Sequence, residues 1–488
     1  MTEPLARLSK MTDPVAKEID TDLCIIGAGS GGLSVAAGAA QMGANCILVE
    51  RGKMGGDCLN YGCVPSKSLL AAGHAAHAIN EAEKFGVKAV QPDINFAAVN
   101  AHVHGVIDGI ATHDSVESFE ELGVTVLQES GRFTGPRTLL AGDTLVRARR
   151  YVIATGSSPL VPQIPRIDEV PYLTNETVFD LKEAPGRLIV IGGGPIGLEM
   201  AQAHRQLGCD VEVVEALGIL NKDDPELVEI VRRRLIGEGI ILHEGAEVMG
   251  VAPAGSGVRV DLVRDSETSQ IEGSHVLIAV GRTANVEGMG LEKAGVSYSR
   301  RGIEVDARLR TTNKRIFAIG DVAGGFLFTH VAGYHAGIVI RNALFRLPAK
   351  VDHSAVPWVT FTVPEMAHVG LSENAANAAG MAPTILRAPF AENDRARAER
   401  SEEGFIKAII GARGKVLGAS IVGPSAGELI LPWVLAVQGK LRVKDLASVI
   451  APYPTLSEVT KQVASSFYTP SLFSERTRCI VRALARLG

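Results

Sequence analysis

Cys58 and Cys63 stand five positions apart in Gly55-Gly56-Asp57-Cys58-Leu59-Asn60-Tyr61-Gly62-Cys63-Val64-Pro65-Ser66-Lys67. A pair this close cannot staple distant parts of a fold. Its chemical use is a thiol pair that opens and closes as a disulfide. One thiol is exposed to meet a substrate, and the other is held as a thiolate that stores electrons. An Ala/Leu-rich run from Ser68 to Ala78 predicts a helix just after the pair. A helix N-terminus lowers a cysteine pKa below its free value of about 8.5. The same spacing also fits a structural disulfide or two core cysteines. What precedes the pair in the chain favours redox use.

The elements that would position such a pair begin upstream. Asp22 to Ile26 reads as a buried parallel strand, followed by Gly27-Ala28-Gly29-Ser30-Gly31-Gly32. This is GxGxxG at Gly27, Gly29 and Gly32. An Ala-rich helix to about Met42 and a second strand, Cys46 to Val49, lead to Glu50. Gly27 makes the turn, Gly29 lets backbone approach a pyrophosphate, and Gly32 lets helix and strand pack closely. The helix N-terminus faces the phosphates, and Glu50 is placed to bind a ribose hydroxyl.

The arrangement recurs. A strand at Leu188 to Ile191 precedes Gly192-Gly193-Gly194-Pro195-Ile196-Gly197, a second GxGxxG at Gly192, Gly194 and Gly197. A helix to about Leu207 and a strand from Asp210 to Val214 end in Glu215. Two such folds around a dithiol imply FAD in the first and a nicotinamide in the second. Glu215 suits a free ribose hydroxyl and would repel a 2′-phosphate, and Ala216 and Leu217 offer no arginine. NAD(H) is therefore preferred over NADP(H). Val152 to Gly156, Val280 to Asn285 and Ile316 to Val322 each read as a strand with a small or acidic exit. Asp321 could equally cap a following helix.

Composition bounds the rest. A chain of 488 residues needs more than one core. A formal net charge of -5 gives no nucleic-acid footprint. Six cysteines in so long a chain do not make a secreted disulfide framework, which points to a reducing, cytoplasmic setting. Met1 to Lys17 lacks the apolar core of a signal peptide and reads as a loose leader. Cys24 to Val49 carries no charged side chain, but its glycines argue against a membrane span. No metal-ligand set is read. Ser474 to Leu487 reads as a basic amphipathic helix, with Ile480, Val481, Leu484 and Leu487 opposite Arg478, Arg482 and Arg486. Its simplest role is to dock on a dimer; a membrane surface is the alternative.

In order, GAGSGG, GGDCLNYGCVPSK, ATG, GGGPIGLE, VGRTAN and AIGDV resemble the flavin-dependent pyridine nucleotide–disulfide oxidoreductases, the class of dihydrolipoamide dehydrogenase, glutathione reductase and mercuric reductase. These motifs cover about Asp22 to Val322, with a weaker match toward the C-terminus. The resemblance implies an α/β fold with two Rossmann-like dinucleotide-binding domains plus a C-terminal α+β dimerisation domain. Its limits are a leader at 1–18, an FAD-binding domain at 19–156 and 285–350, a nicotinamide-binding domain at 157–284, and a dimerisation domain at 351–488.

The resemblance further makes Cys58 the interchange thiol and Cys63 the thiol against the flavin. Lys67 and Glu199 become an ion pair beside the reactive edge of the flavin, although Lys67 alone also reads as a solvated helix residue. Asp321 becomes the acid on the ribityl chain. Gly56, Thr155, Gly156 and Gly281 join the cofactor-binding set. The implied working form is a homodimer passing electrons between NAD(H), FAD and a disulfide or dithiol substrate.

The family's catalytic histidine is here Tyr453, followed by Pro454 and Glu458. A tyrosine, with pKa about 10 against about 6.5 for histidine, is a poor base near neutral pH. His330 or His335 could substitute. Mercuric reductase shares the tyrosine but carries paired C-terminal cysteines, where this chain has only Cys479. Metal-ion reduction and a flavoprotein subunit without its own turnover are the alternatives.

Overall fold

A computed structural model describes residues 17–487. The leader expected over 1–18 lies outside the described residues up to residue 16. The chain forms two compact units, Met1–Val64 with Gly105–Ser158 and Arg282–Val351, and Pro65–His104 with Pro159–Gly281 and Asp352–Gly488.

The first unit is built on a sheet of four parallel strands in the order Val124–Leu127, Cys46–Val49, Lys17–Ile26, Thr144–Ile153. Ile316–Ala318 lies parallel to the end of Thr144–Ile153, and a hairpin, Gly131–Gly135 with Thr138–Ala141, pairs with its start. Leu23 to Ile26 and Cys46 to Val49 are buried throughout, as strands covered on both faces must be. The first strand opens at Lys17, five residues before the expected Asp22, because its exposed half pairs with Thr144 to Ala148. The register sets Ile26 beside Val49 and Ile153, and Ile153 beside Ala318. These strands therefore end along one edge, the place where ligands bind in open parallel sheets. Helices Ser30–Gln41 and Thr329–Ala343 bury Val35, Ala36 and Ala39 with Ala336, Ile338 and Val339.

The second unit holds a parallel sheet in the order Ile241–Glu244, Asp210–Glu215, Arg187–Ile191, His275–Ile278, Tyr172–Leu173. Helix Pro195–Gln206 follows its glycine loop, with Pro195 in the first turn, where its missing N–H costs nothing. An antiparallel three-stranded sheet spans Glu247–Ala254, Gly257–Arg264 and Glu267–Gly273. The C-terminal part is an antiparallel five-stranded sheet, Pro357–Thr360, Glu365–Gly370, Val416–Gly423, Phe405–Ile410 and Thr384–Pro389. Its core centres on the fully buried Trp433. Among the described residues no helix is long and apolar enough to cross a membrane. Helix Glu475–Leu484 buries none of its residues, and Ile480, Val481, Leu484 and Leu487 are exposed.

Candidate active site

The glycine loop of the first unit is packed as tightly as GxGxxG requires. A Cβ on Gly27 would lie 2.4 Å from Ala154 O, and one on Gly32 would lie 1.9 Å from Gly27 O. Glu50 Oε2 accepts the Ala28 amide at 2.6 Å, and Oε1 accepts the Gly52 amide at 2.6 Å. The loop Thr155–Gly156 is latched by Asn285, whose Nδ2 donates to Thr155 O at 2.9 Å and whose amide donates to Gly156 O.

The cysteine turn rests on this loop. Gly29 and Gly55 form a backbone bridge, and a Cβ on Gly56 would lie 2.6 Å from Gly29 Cα. Gly56 also has φ of 59°, so both its backbone and its neighbour demand glycine. Cys58 then lies on the short helix Gly56–Asn60, and Cys63 opens helix Cys63–Glu81. That helix starts five residues before the expected Ser68. Pro65 falls in its first turn, where proline fits a helix.

Cys58 is half-buried, and Cys63 is the more exposed of the two. Cys58 and Cys63 share a hydrogen bond. That bond, burial and the charge of a Cys63 thiolate hold Cys58 well above the ordinary thiol range, while hydrogen bonds from Thr329 and Ser30 oppose them. Thr329 Oγ1 also lies 3.3 Å from Cys63 Sγ.

Asp321 sits past the strand Ile316–Ala318, and Ile319 rather than Asp321 caps the short helical turn there. Its Oδ2 accepts from Ser157 Oγ at 2.5 Å. Burial pushes its carboxyl above the usual range, against that bond and the nearby Arg282 charge. His335 is buried, with Nδ1 accepting the Gly320 amide at 3.3 Å, which leaves it in a structural role. His330 is exposed and stacks on Phe328 at 5.2 Å.

In the second unit the glycine loop repeats the pattern. A Cβ on Gly192 would lie 2.5 Å from Ala279 O, one on Gly197 would lie 2.0 Å from Gly192 O, and one on Gly194 would meet nothing within 4 Å. Glu215 Oε2 accepts the Gly193 amide at 2.7 Å and Oε1 the Leu217 amide at 3.0 Å. Gly281 has φ of 140° and open space beside it.

Lys67 and Glu199 meet, with Nζ 2.6 Å from Oε2. Glu199 Oε1 also accepts the Phe361 amide at 2.9 Å, and Lys67 Nζ lies over the Phe361 ring at 4.4 Å. Tyr453 is 71% exposed. Glu458 opens helix Glu458–Ser466, with Oε2 3.4 Å from the Thr455 amide.

The first-unit loop fits an adenine dinucleotide. A Cβ on Gly156 would meet nothing within 4 Å, and one on Gly29 only Gly56 Cα at 4.0 Å, so the backbone is bare where a pyrophosphate would approach. Sequence reasoning missed Ser30, Ser157, Arg282, Asn285 and Thr329. Arg282 and Asn285 lie inside VGRTAN, and Ser157 follows ATG, so the motifs themselves were the available signal. Thr329 carried no signal, since 266 positions separate it from Cys63.

Residues 21–336 match the family described as pyridine nucleotide-disulphide oxidoreductase, and 356–464 match its dimerisation domain, which supports a homodimer. The chain is 36% identical over 454 residues to a mercuric reductase of Streptomyces lividans, spanning 91% of this chain and 96% of that protein. It is 34% identical over 461 residues to a dihydrolipoyl dehydrogenase of Geobacillus stearothermophilus, with 91% and 96% spanned. Among solved structures, LpdA from Mycobacterium tuberculosis superposes with a TM-score of 0.85 at 28% identity, covering 92% of this chain and 99% of that one. The HOCl-induced flavoprotein disulfide reductase RclA from Escherichia coli, in a Cu(II) complex, gives a TM-score of 0.82 at 26% identity, covering 91% and 99%. A dithiol on a dinucleotide loop is what these relatives lead one to expect: the chain belongs to the pyridine nucleotide–disulfide oxidoreductase family and is a FAD-dependent disulfide oxidoreductase.

Proposed function

We propose that the chain passes electrons from NADH through FAD to the Cys58–Cys63 pair, and from that pair to a small or protein-borne disulfide. With a dithiol substrate the flow reverses. The observation that carries this reading is the seam of Gly29 with Gly55 and Gly56, which rests the cysteine turn on the dinucleotide loop. The domain limits read from the sequence belong to the same proposal.

Gly27, Gly29, Gly32, Glu50, Gly56, Thr155, Gly156 and Asp321 would hold FAD. Bound there, FAD supplies a carrier that takes two electrons from a nicotinamide and yields them to sulfur. Gly192, Gly194, Gly197, Glu215 and Gly281 would hold the nicotinamide dinucleotide. Glu215 favours NADH, because a 2′-phosphate would face its carboxylate. Lys67, one helical turn beyond Cys63, is the cation assigned to the negative charge gained on reduction, with Glu199 as its partner.

The sulfur steps belong to this chain. The Cys58 thiolate attacks one sulfur of a substrate disulfide, whose S–S bond breaks, and the leaving thiolate takes a proton. The Cys63 thiolate then attacks Cys58 in the mixed disulfide. The second substrate thiolate leaves and takes a proton, and the Cys58–Cys63 bond re-forms. Two electrons have moved from the pair to the substrate. Ser30 and Thr329 donate hydrogen bonds that favour the thiolate form of Cys58.

Anaerobic NADH titration of the purified holoenzyme tests the reading. A long-wavelength thiolate–flavin band is expected, followed by turnover with members of a disulfide panel. Cys58→Ser should retain FAD and lose disulfide turnover; retained turnover would end the proposal. Metal-ion reduction is the second reading, favoured by the likeness to mercuric reductases. It predicts NADPH or NADH oxidation that responds to mercuric ion, with Cys479, exposed on the C-terminal helix, as the one further thiol outside the core. That helix is assigned to the dimer rather than to a membrane.

A further inference from the structure

Asp57, the residue before Cys58, is held by a cation that also serves the cofactor edge of the same unit. Arg282 is nearly buried, its side chain 11% exposed. Its Nη2 lies 2.9 Å from Asp57 Oδ1 and donates to Ser157 O at 2.7 Å. Its Nε donates to Ser157 Oγ at 2.7 Å and lies 3.9 Å from Asp321 Oδ2. Ser157 Oγ passes the chain on by donating to that Asp321 oxygen at 2.5 Å. One guanidinium thus faces two carboxylates and a backbone carbonyl. Only a planar fork with several donors can serve all of them; a lysine ammonium is a single point charge.

The two ends of this chain of bonds differ in kind. Asp57 rides on the helix Gly56–Asn60 with Cys58. Asp321 stands at the edge where the parallel strands end. We propose that Arg282 is a positioning residue that locks the Cys58 turn to the cofactor acid Asp321. Through it, the filled flavin site fixes how far Cys58 is presented to a substrate. The inference rests on the reading of Asp321 and the cysteine pair given above.

The test measures alkylation of Cys58 by iodoacetamide in FAD-loaded, two-electron-reduced enzyme, followed by peptide mass spectrometry across pH. FAD content and thermal midpoint are recorded beside it. Arg282→Lys keeps the charge but loses the fork, and Asp57→Asn breaks only the arm to the cysteine turn. Both should keep FAD and alkylate Cys58 about fivefold faster, because a loosened turn exposes a half-buried thiol, and the double variant should add little to either single change. Arg282→Gln should act in the same direction, and Arg282→Lys carries the test if that protein does not fold. Wild-type alkylation in FAD-loaded Arg282→Lys and Asp57→Asn would overturn the clamp, and so would additive effects in the double variant. Failure of the functional reading looks different: Cys58→Ser would then turn over disulfides normally.

Discussion

The Tyr453 hydroxyl donates a 3.1 Å hydrogen bond to Asp394 Oδ2. That bond and the Asp394 charge raise the phenol above its ordinary value. Tyr453 therefore stays protonated near neutral pH and can act as a donor or an acid, not as a base. A histidine there would take a proton from a dithiol in the same pH range. Tyr453→His is expected to raise oxidation of dihydrolipoamide with NAD+ by about 10²–10⁴-fold near pH 8, the usual worth of a general base. Steady-state rates from pH 6 to 9 give the measurement. An unchanged rate would mean that another group, with the exposed His330 the first to substitute, already handles the proton.

The paired charges Lys67 and Glu199 give a separable prediction. Glu199 is 4% exposed, so removing its cation leaves a carboxylate with the Phe361 amide as the remaining bond among those seen. Lys67→Met should cost about 1–3 kcal/mol of stability, less than a fully buried pair because the Lys67 side chain is 38% exposed. It should also slow NADH reduction of the flavin, by about 10²-fold if the cation stabilises the developing charge. Lys67→Met combined with Glu199→Gln should recover much of the stability and none of the rate. Stopped-flow reduction and urea unfolding read the two effects apart, and a recovered rate would show that Lys67 only holds the fold.

What the sequence made legible was local. Gly27, Gly29, Gly32 and Glu50 were readable because strand, loop, helix and strand follow one another at fixed spacing, and the same holds for Gly192 to Glu215. Only the buried half of the first strand, Leu23 to Ile26, forms an apolar run, so its exposed half, held by pairing to Thr144–Ile153, carries no such signal. Lys67 and Glu199, 132 positions apart, were joined by family likeness and by the need of a buried charge for a partner. Arg282 with Asp57, and Thr329 with the sulfurs, left no such mark. They meet only in the tertiary fold, as helix residues and a short strand far apart in the chain, and no periodicity along the chain records such a meeting.

Glu215 gives a prediction about the choice of nicotinamide. Its two oxygens are held by the Gly193 and Leu217 amides, so the carboxylate is fixed and cannot swing away from a 2′-phosphate. The enzyme should prefer NADH by more than about tenfold in kcat/KM, since a like charge against a fixed carboxylate costs more than about 1.4 kcal/mol. Glu215→Ala should lower kcat/KM with NADH and narrow the gap to NADPH. Equal use of both nucleotides by the unaltered enzyme would remove Glu215 as the selector.

His204 sets an acid limit on stability. Its ring is fully buried, and Nδ1 lies 2.8 Å from Met200 O, which makes Nδ1 the protonated nitrogen of the neutral ring. Nε2 is buried without a hydrogen-bond partner. Burial pushes the pKa down to about 4 from the ordinary 6.5, against the raising effect of the Met200 carbonyl. The folded value is the lower one, so the unfolded chain takes up a proton first as pH falls. The stability tied to the neutral ring is complete above about pH 6.5, declines between 6.5 and 4, and changes no further below that. A gap of about 2.5 units corresponds to about 3 kcal/mol across the window. Burial lowers His74, His77, His275 and His368 in the same sense, so the whole chain should lose stability on acidification. The share of His204 is the difference in slope: urea midpoints of His204→Leu at pH 7.5, 6 and 5 should fall less steeply than those of the unaltered enzyme. Parallel slopes would assign the acid sensitivity to the other histidines, whatever the variant does to stability at pH 7.5.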